Sequence, residues 1–159
     1  MKSELPKVLC EAAGRPLVKY VIDSLREAGV GRLIAVVGYR EELVRQTLAN
    51  EIDLGFASQT EQLGTGHAVM MCREALANHS GPVVIVAGDS PMLQASSIRA
   101  LLADFNANQP ACLLGTLKHP SPHGLGRIVR DGSGKFLRIV EEKDATDQER
   151  AINEVNMST

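Results

Sequence analysis

The sequence predicts an α/β fold of the Rossmann-like kind, a doubly wound, mostly parallel sheet flanked by helices, with a small hairpin inserted late in the chain. Three observations predict it. Residues 83–86, Val-Val-Ile-Val, form a β-branched run with no polar face, which suits a central strand covered on both sides. Around it, short apolar runs alternate with segments whose apolar residues recur at helical spacing, as in parallel strands joined by right-handed crossovers. From Lys118 the texture changes, and two apolar runs flank the turn sequence Asp131-Gly132-Ser133-Gly134.

Each element has its own signal. Residues 1–9 make an entry segment with the apolar pair Val8 and Leu9, punctuated by Gly14-Arg15-Pro16. Leu17, Val18, Val21, Ile22 and Leu25 predict a helix that Gly29 closes. Residues 33–37 read as a continuous apolar strand ended by Gly38, and 41–48 as a helix with Leu43, Val44 and Leu48 on its apolar side. A short strand at 54–57 leads into a polar, glycine-bearing loop at 59–66 and a helix at 68–76. The central run then ends at Ala87-Gly88-Asp89, where Pro91 prevents further pairing. Ile98, Leu101, Leu102 and Phe105 mark a helix beginning near Ser96, and 111–117 a strand. Residues 119–126 are a loop, and 126–129 and 136–141 are the arms of the hairpin. The polar stretch 144–152 suits a short helix capped by Asp144 or Thr146, and 154–156 a further strand.

A chain of 159 residues with 44% hydrophobic content suits one domain with a proper core. A formal charge of −2 and the lack of a basic run argue against a general electrostatic grip on nucleic acid or an anionic membrane. With 3% aromatics and no Trp, stacking platforms for single strands are not expected. Cys10, Cys72 and Cys112 are odd in number and far apart, as in a reduced cytoplasmic protein rather than a disulfide framework or zinc site. No apolar run suits a signal peptide or a bilayer span, so the expected location is the cytoplasm.

Three features carry chemistry. Asp89 follows the central run, and ligands of open α/β sheets bind beyond the carboxyl ends of strands. The same residue equally suits a cap for the helix near Ser96. In the loop from Gln59 to His67, Gly64 and Gly66 flank Thr65, while Gln59 and Gln62 offer both donors and acceptors. Such a loop can read the edge of a base, although glycine-rich turns before helices are also common punctuation. Lys7 is a cation fixed beside apolar anchors, or else an ordinary solvated lysine.

Six ordered blocks extend along almost the whole chain: LPKVL at 5–9, EQLGTGHA at 61–68, GDSPML at 88–93, GLGRIV at 124–129, VEEKDAT at 140–146 and EVN at 154–156. Together they resemble the pyrophosphorylase domain of bacterial bifunctional N-acetylglucosamine-1-phosphate uridylyltransferases, with EQLGTGHA the most specific. The resemblance implies a Rossmann-like nucleotidyltransferase that joins UTP to N-acetylglucosamine 1-phosphate, giving UDP-N-acetylglucosamine and pyrophosphate for cell-wall precursors. It implies that Lys7 touches the phosphates, that Gln59 and the Gly64-Thr65 pair hold uracil with Gly88 beside the nucleotide, and that Asp89 binds Mg²⁺. Lys7 and Asp89 are then the catalytic pair, and Gly126, Glu141 and Asn156 hold the amino sugar.

The sequence also departs from that family. The glycine-rich signature L-A-A-G-x-G-T-R-M overlaps this chain only at Met1. Residues 1–159 are accordingly expected to be a partial nucleotidyltransferase domain, without the first strand, the signature loop and the C-terminal part, and inactive alone. The acetyltransferase half, through which the family oligomerises, has no counterpart in the sequence. Met157-Ser158 stands where relatives carry Thr-Gly or Ser-Gly, which bears on the sugar pocket. His119 and His123 read as polar loop residues. The alternatives are a related transferase acting on another sugar phosphate, and a non-catalytic remnant that binds a nucleotide.

Overall fold

A computed structural model describes residues 4–156. Its first unit, Met1–Leu102, opens with a 3₁₀ turn at Lys7–Leu9 and a tight hairpin of β1 (Glu11–Ala12) and β2 (Arg15–Pro16). Helix α1 (Leu17–Glu27) buries Val18, Val21, Ile22 and Leu25, the stripe that its 3.6-residue spacing creates. It ends as expected at Gly29, whose φ of +91° is the left-handed geometry that glycine adopts without strain. Strand β3 (Leu33–Val37), helix α2 (Glu41–Thr47) and strand β4 (Leu54–Ser58) form a βαβ unit, with Leu33 opposite Leu54 and Val37 opposite Ser58 in a parallel ladder. Leu9, the α1 stripe, Leu33, Val37, Val44, Leu48 and Ile98 make one core.

The expected central strand at 83–86 is corrected by the structure. Residues 82–87 have no strand ladder, and the sheet of β3 and β4 has two strands among the described residues. Val84 and Val86 pack on the core while Val83 and Ile85 are exposed, so the run has one covered face rather than two. An apolar β-branched composition favours an extended backbone, but a strand also needs a partner for its N–H and C=O groups. The helix expected at 68–76 is likewise shorter: α3 (Thr65–Met70) gives way to turns whose bonds mix three- and four-residue spacings. Helix α4 (Ala95–Asn108) follows, and the boundary with the second unit falls inside it. The segment leading into it and its first turns are tied to α1, with Ser24 Oγ donating to Leu93 O at 2.7 Å and Arg99 Nη1 to Glu27 O at 2.9 Å.

The second unit, Ala103–Thr159, is built on a four-stranded antiparallel sheet. Strand β5 (Thr116–Lys118) covers only the end of the run expected at 111–117. Strands β6 (Gly126–Arg130) and β7 (Phe136–Val140) are the expected hairpin. Its turn is pinned by Asp131 Oδ1, which accepts from Ser133 N, Ser133 Oγ and Lys135 N. Thr146 rather than Asp144 caps α5 (Asp147–Arg150), in a reciprocal capping box with Glu149. Strand β8 (Glu154–Asn156) then inserts between β5 and β6, burying Val155 completely.

Candidate functional site

In the first unit, packing brings Lys7 and Asp89 together. Pro6 and Leu9 are buried, so the 3₁₀ turn is anchored on both sides of a lysine that points to water. Gly88 lets the chain pass close by: a β-carbon there would lie 3.3 Å from Val8 Cγ1 and 3.9 Å from Val18 Cγ2. Lys7 Nζ stands 2.5 Å from Asp89 Oδ2. The hydrogen bond and charge of that carboxylate raise the lysine pKa above its ordinary value, keeping the ammonium charged. Asp89 thus has Lys7 as an ion-pair partner. A fixed cation beside a hard oxygen donor can meet a phosphate and the cation that accompanies it.

The loop after β4 is tied back to β3. Gln59 N donates to Val37 O at 2.7 Å, which extends the parallel ladder by one residue. Gly38 is required there, because a β-carbon would approach Gln59 O to 2.9 Å. The half-buried Gln59 turns its Nε2 toward Gly64 O and His67 Nδ1, both at 3.1 Å. Gly64 has φ of +98°, and Thr65 opens α3 in an exposed position. The structure thus gathers Gln59, Gly64 and Thr65 in one loop and adds His67. Sequence reasoning gave His67 no role, because the bond to Gln59 spans eight residues across a left-handed turn.

In the second unit, Gly126, Glu141 and Asn156 meet at one end of the sheet. Gly126 lies opposite Asn156 in the β6–β8 pair. A β-carbon at Gly126 would sit 3.0 Å from Ile139 Cγ2 and 3.5 and 3.6 Å from the two Glu141 carboxylate oxygens. The glycine therefore keeps open the space beside the exposed Glu141. Immediately next to these residues is a pair the sequence did not single out. Arg127 is buried, its Nη2 lies 2.5 Å from Glu142 Oε2, its Nη1 donates to Leu125 O, and its Nε has no partner. Glu142 also accepts from Gly124 N at 3.2 Å and approaches His123 Nδ1 at 3.5 Å. The Arg127 guanidinium, helped by the Gly124 amide, holds that carboxyl below its ordinary pKa. His119 Nδ1 accepts from Ser121 N at 3.0 Å, a turn contact. Met157-Ser158 lies outside the described residues.

Two surface clefts of the first unit, one lined by Arg32, Glu74 and His79 and the other by Arg26, Leu33 and Ile52, contain none of these side chains. In the second, Arg26 is already engaged by Glu51 Oε2 at 2.7 Å and Ile52 O at 2.6 Å, and in the first His79 Nε2 lies 3.2 Å from Pro82 O. Among the described residues no group of three or more His, Cys, Asp or Glu converges on a metal position, and no helix is long and apolar enough to cross a membrane.

The MobA-like NTP transferase domain matches residues 1–148. The bifunctional protein GlmU of Geobacter sulfurreducens is 43% identical over 156 residues, which cover 98% of this chain and 33% of the relative. That of Exiguobacterium sp. is 44% identical over 159 residues, 100% of this chain and 35% of the relative. The chain thus spans about a third of the length of the curated relatives it matches. Among solved structures, HddC from Yersinia pseudotuberculosis complexed with GMP-PN shares the fold, with a TM-score of 0.65 at 16% identity over 89% of this chain and 62% of that one.

Proposed function

The chain belongs to the MobA-like NTP transferase domain family, and from that premise we propose that it carries substrate-binding surfaces of a uridylyltransferase, which joins UTP to N-acetylglucosamine 1-phosphate and releases pyrophosphate. The observation that supports this most is the meeting of Lys7 with Asp89 at the end of an extended apolar segment, 2.5 Å apart though distant in sequence. Lys7 is assigned to phosphate oxygens, Gln59, Gly64 and Thr65 to uracil, and Gly88 to the close passage of backbone beside the nucleotide. Gly126, Glu141 and Asn156 are assigned to the amino sugar. Free Cys10, Cys72 and Cys112 agree with a reducing compartment, and we place the reaction in the cytoplasm.

Little proton transfer is needed. An oxygen of the sugar phosphate attacks the α-phosphorus, and that P–O bond forms as the bond to the bridging oxygen breaks. Pyrophosphate leaves with the electron pair. The protein's part is to align the groups and balance charge on the phosphate oxygens. Asp89 fits Mg²⁺ as a single hard-oxygen ligand, because this ion takes most of its octahedron from phosphates and water. When bound it would neutralise charge between phosphates. Turnover is proposed to need the glycine-rich signature segment as well, whose backbone amides would cradle the triphosphate.

Pyrophosphate release is to be measured from UTP with several sugar 1-phosphates, using this chain and the chain extended by the signature segment. N-acetylglucosamine 1-phosphate should be the best acceptor, with turnover in the extended protein. Asp89→Asn should keep the fold and lower the rate by about 10²-fold or more. A different preferred sugar phosphate would replace the acceptor, and an Asp89→Asn rate near that of the parent would remove Asp89 from the site.

A further inference from the structure

The polarity of the Gln59 carboxamide is fixed by its neighbours. A carbonyl oxygen can only accept, so the amide atom 3.1 Å from Gly64 O must be the nitrogen. The same Nε2 lies 3.1 Å from His67 Nδ1. Its second hydrogen therefore goes to the imidazole, which must present a lone pair at Nδ1 and carry its own proton on Nε2. Both amide hydrogens are thus used inside the loop. The Oε1 atom is all that Gln59 has left to offer a ligand.

We propose that His67, acting with the Gly64 carbonyl, makes Gln59 an acceptor-only reader of the base, and that this polarity selects uracil against cytosine. The inference rests on the uridylyl-transfer reading above and adds a positioning residue to it. Uracil carries a hydrogen on N3, whereas cytosine has a lone pair there. An acceptor facing N3 bonds the first and opposes the second. Facing position 4 instead, the same acceptor would favour the cytosine amino group, so preference for UTP fixes N3–H as the contact. A carboxamide free to turn over would present N–H to cytosine N3 and lose the distinction. His67 removes that freedom without touching the base.

The test is the ratio of dissociation constants for CTP and UTP, measured by calorimetry on the chain and its variants, with N3-methyl-UTP as a third probe. The parent should prefer UTP and reject N3-methyl-UTP. His67→Ala should lower the CTP/UTP ratio by roughly tenfold rather than abolish it, because Gly64 still holds one amide hydrogen. His67→Asn, whose side-chain oxygen can stand where Nδ1 stood, should keep the ratio. A loss of packing alone would weaken both nucleotides together and leave the ratio unmoved. A parent that prefers UTP while His67→Ala keeps the same ratio overturns the inference and leaves the uridylyl reading intact. A parent without preference for UTP overturns that reading and the inference with it, as would tight binding of N3-methyl-UTP the N3 contact.

Discussion

Two ion pairs of equal length stand in opposite surroundings. Lys7 and Asp89 meet at 2.5 Å with side chains 76% and 24% exposed, whereas Arg127 and Glu142 meet at 2.5 Å with side chains 2% and 28% exposed. In water the attraction is screened and ordering the long lysine opposes it, so the first pair adds little to folding. The second includes a cation removed from solvent, whose desolvation is offset only while its partners stay in place. The difference separates two uses of charge. The first pair leaves the Lys7 ammonium open to a ligand. The buried one holds Leu125, Gly126 and the end of β7 around the space beside Glu141.

Removing the buried cation should have the largest effect on stability. Arg127→Ala should destabilise the protein by about 2–4 kcal/mol in urea unfolding, through the lost packing of its long stem and the lost anchor for Glu142. Arg127→Met, which retains much of the volume, should recover part of that loss. A change within about 0.5 kcal/mol for Arg127→Ala would mean that the second pair is as incidental to the fold as the first.

A third pair on the same sheet is sensitive to acid. Glu154 receives Arg130 Nε at 2.8 Å and Nη2 at 2.6 Å, and Thr116 Oγ1 at 2.9 Å. The Arg130 guanidinium, with help from Thr116, holds the Glu154 carboxyl down from 4.5 to about 2. A carboxyl whose folded pKa lies below its unfolded value contributes stability that is fully present above the unfolded value. That contribution is lost as pH falls through the folded one. The window is therefore pH 4.5 down to about 2. The effect should be roughly 2 kcal/mol once solvent screening is allowed for. Glu154→Gln should flatten the pH dependence of the urea midpoint across that window. An unchanged slope would show that the Arg130 contact does not persist in solution.

The elements that sequence made legible are those decided locally. The α1 stripe, the Gly29 stop, the hairpin turn around Asp131 and the Thr146 cap all rest on interactions within a few residues. The run at 83–86 shows the limit: β-branching predicts extension, but pairing depends on what lies alongside, and Val83 and Ile85 remain uncovered. Candidate site residues followed the same division. Gly126, Glu141 and Asn156 came from blocks that resembled a family, and the sheet register brings them together. Nothing in the sequence marks Arg127 as buried, because a charged residue in a strand ordinarily reads as part of its solvated face. His67 sat within the most specific block without a part, since its bond to Gln59 depends on how the loop closes.

Lys7, in the exposed pair, should matter least to stability. Its ammonium is raised in pKa by the Asp89 hydrogen bond and charge, so it is a full cation at neutral pH, yet its side chain is largely in water. Water and salt compete for that charge, with a screening length of about 8 Å at physiological ionic strength. Lys7→Met should therefore shift unfolding by less than about 1 kcal/mol, and by less still at high salt. Binding should respond differently, because a triphosphate brings charge to the ammonium in a way that water does not. Losing a charge-assisted bond to phosphate should weaken UTP by roughly tenfold or more, while uridine without phosphates should bind Lys7→Met and the parent equally. Calorimetry with the two ligands separates the cases. A variant that loses several kcal/mol of stability would place Lys7 among the structural pairs with Arg127, and one that weakens uridine as much as UTP would detach the lysine from the phosphates.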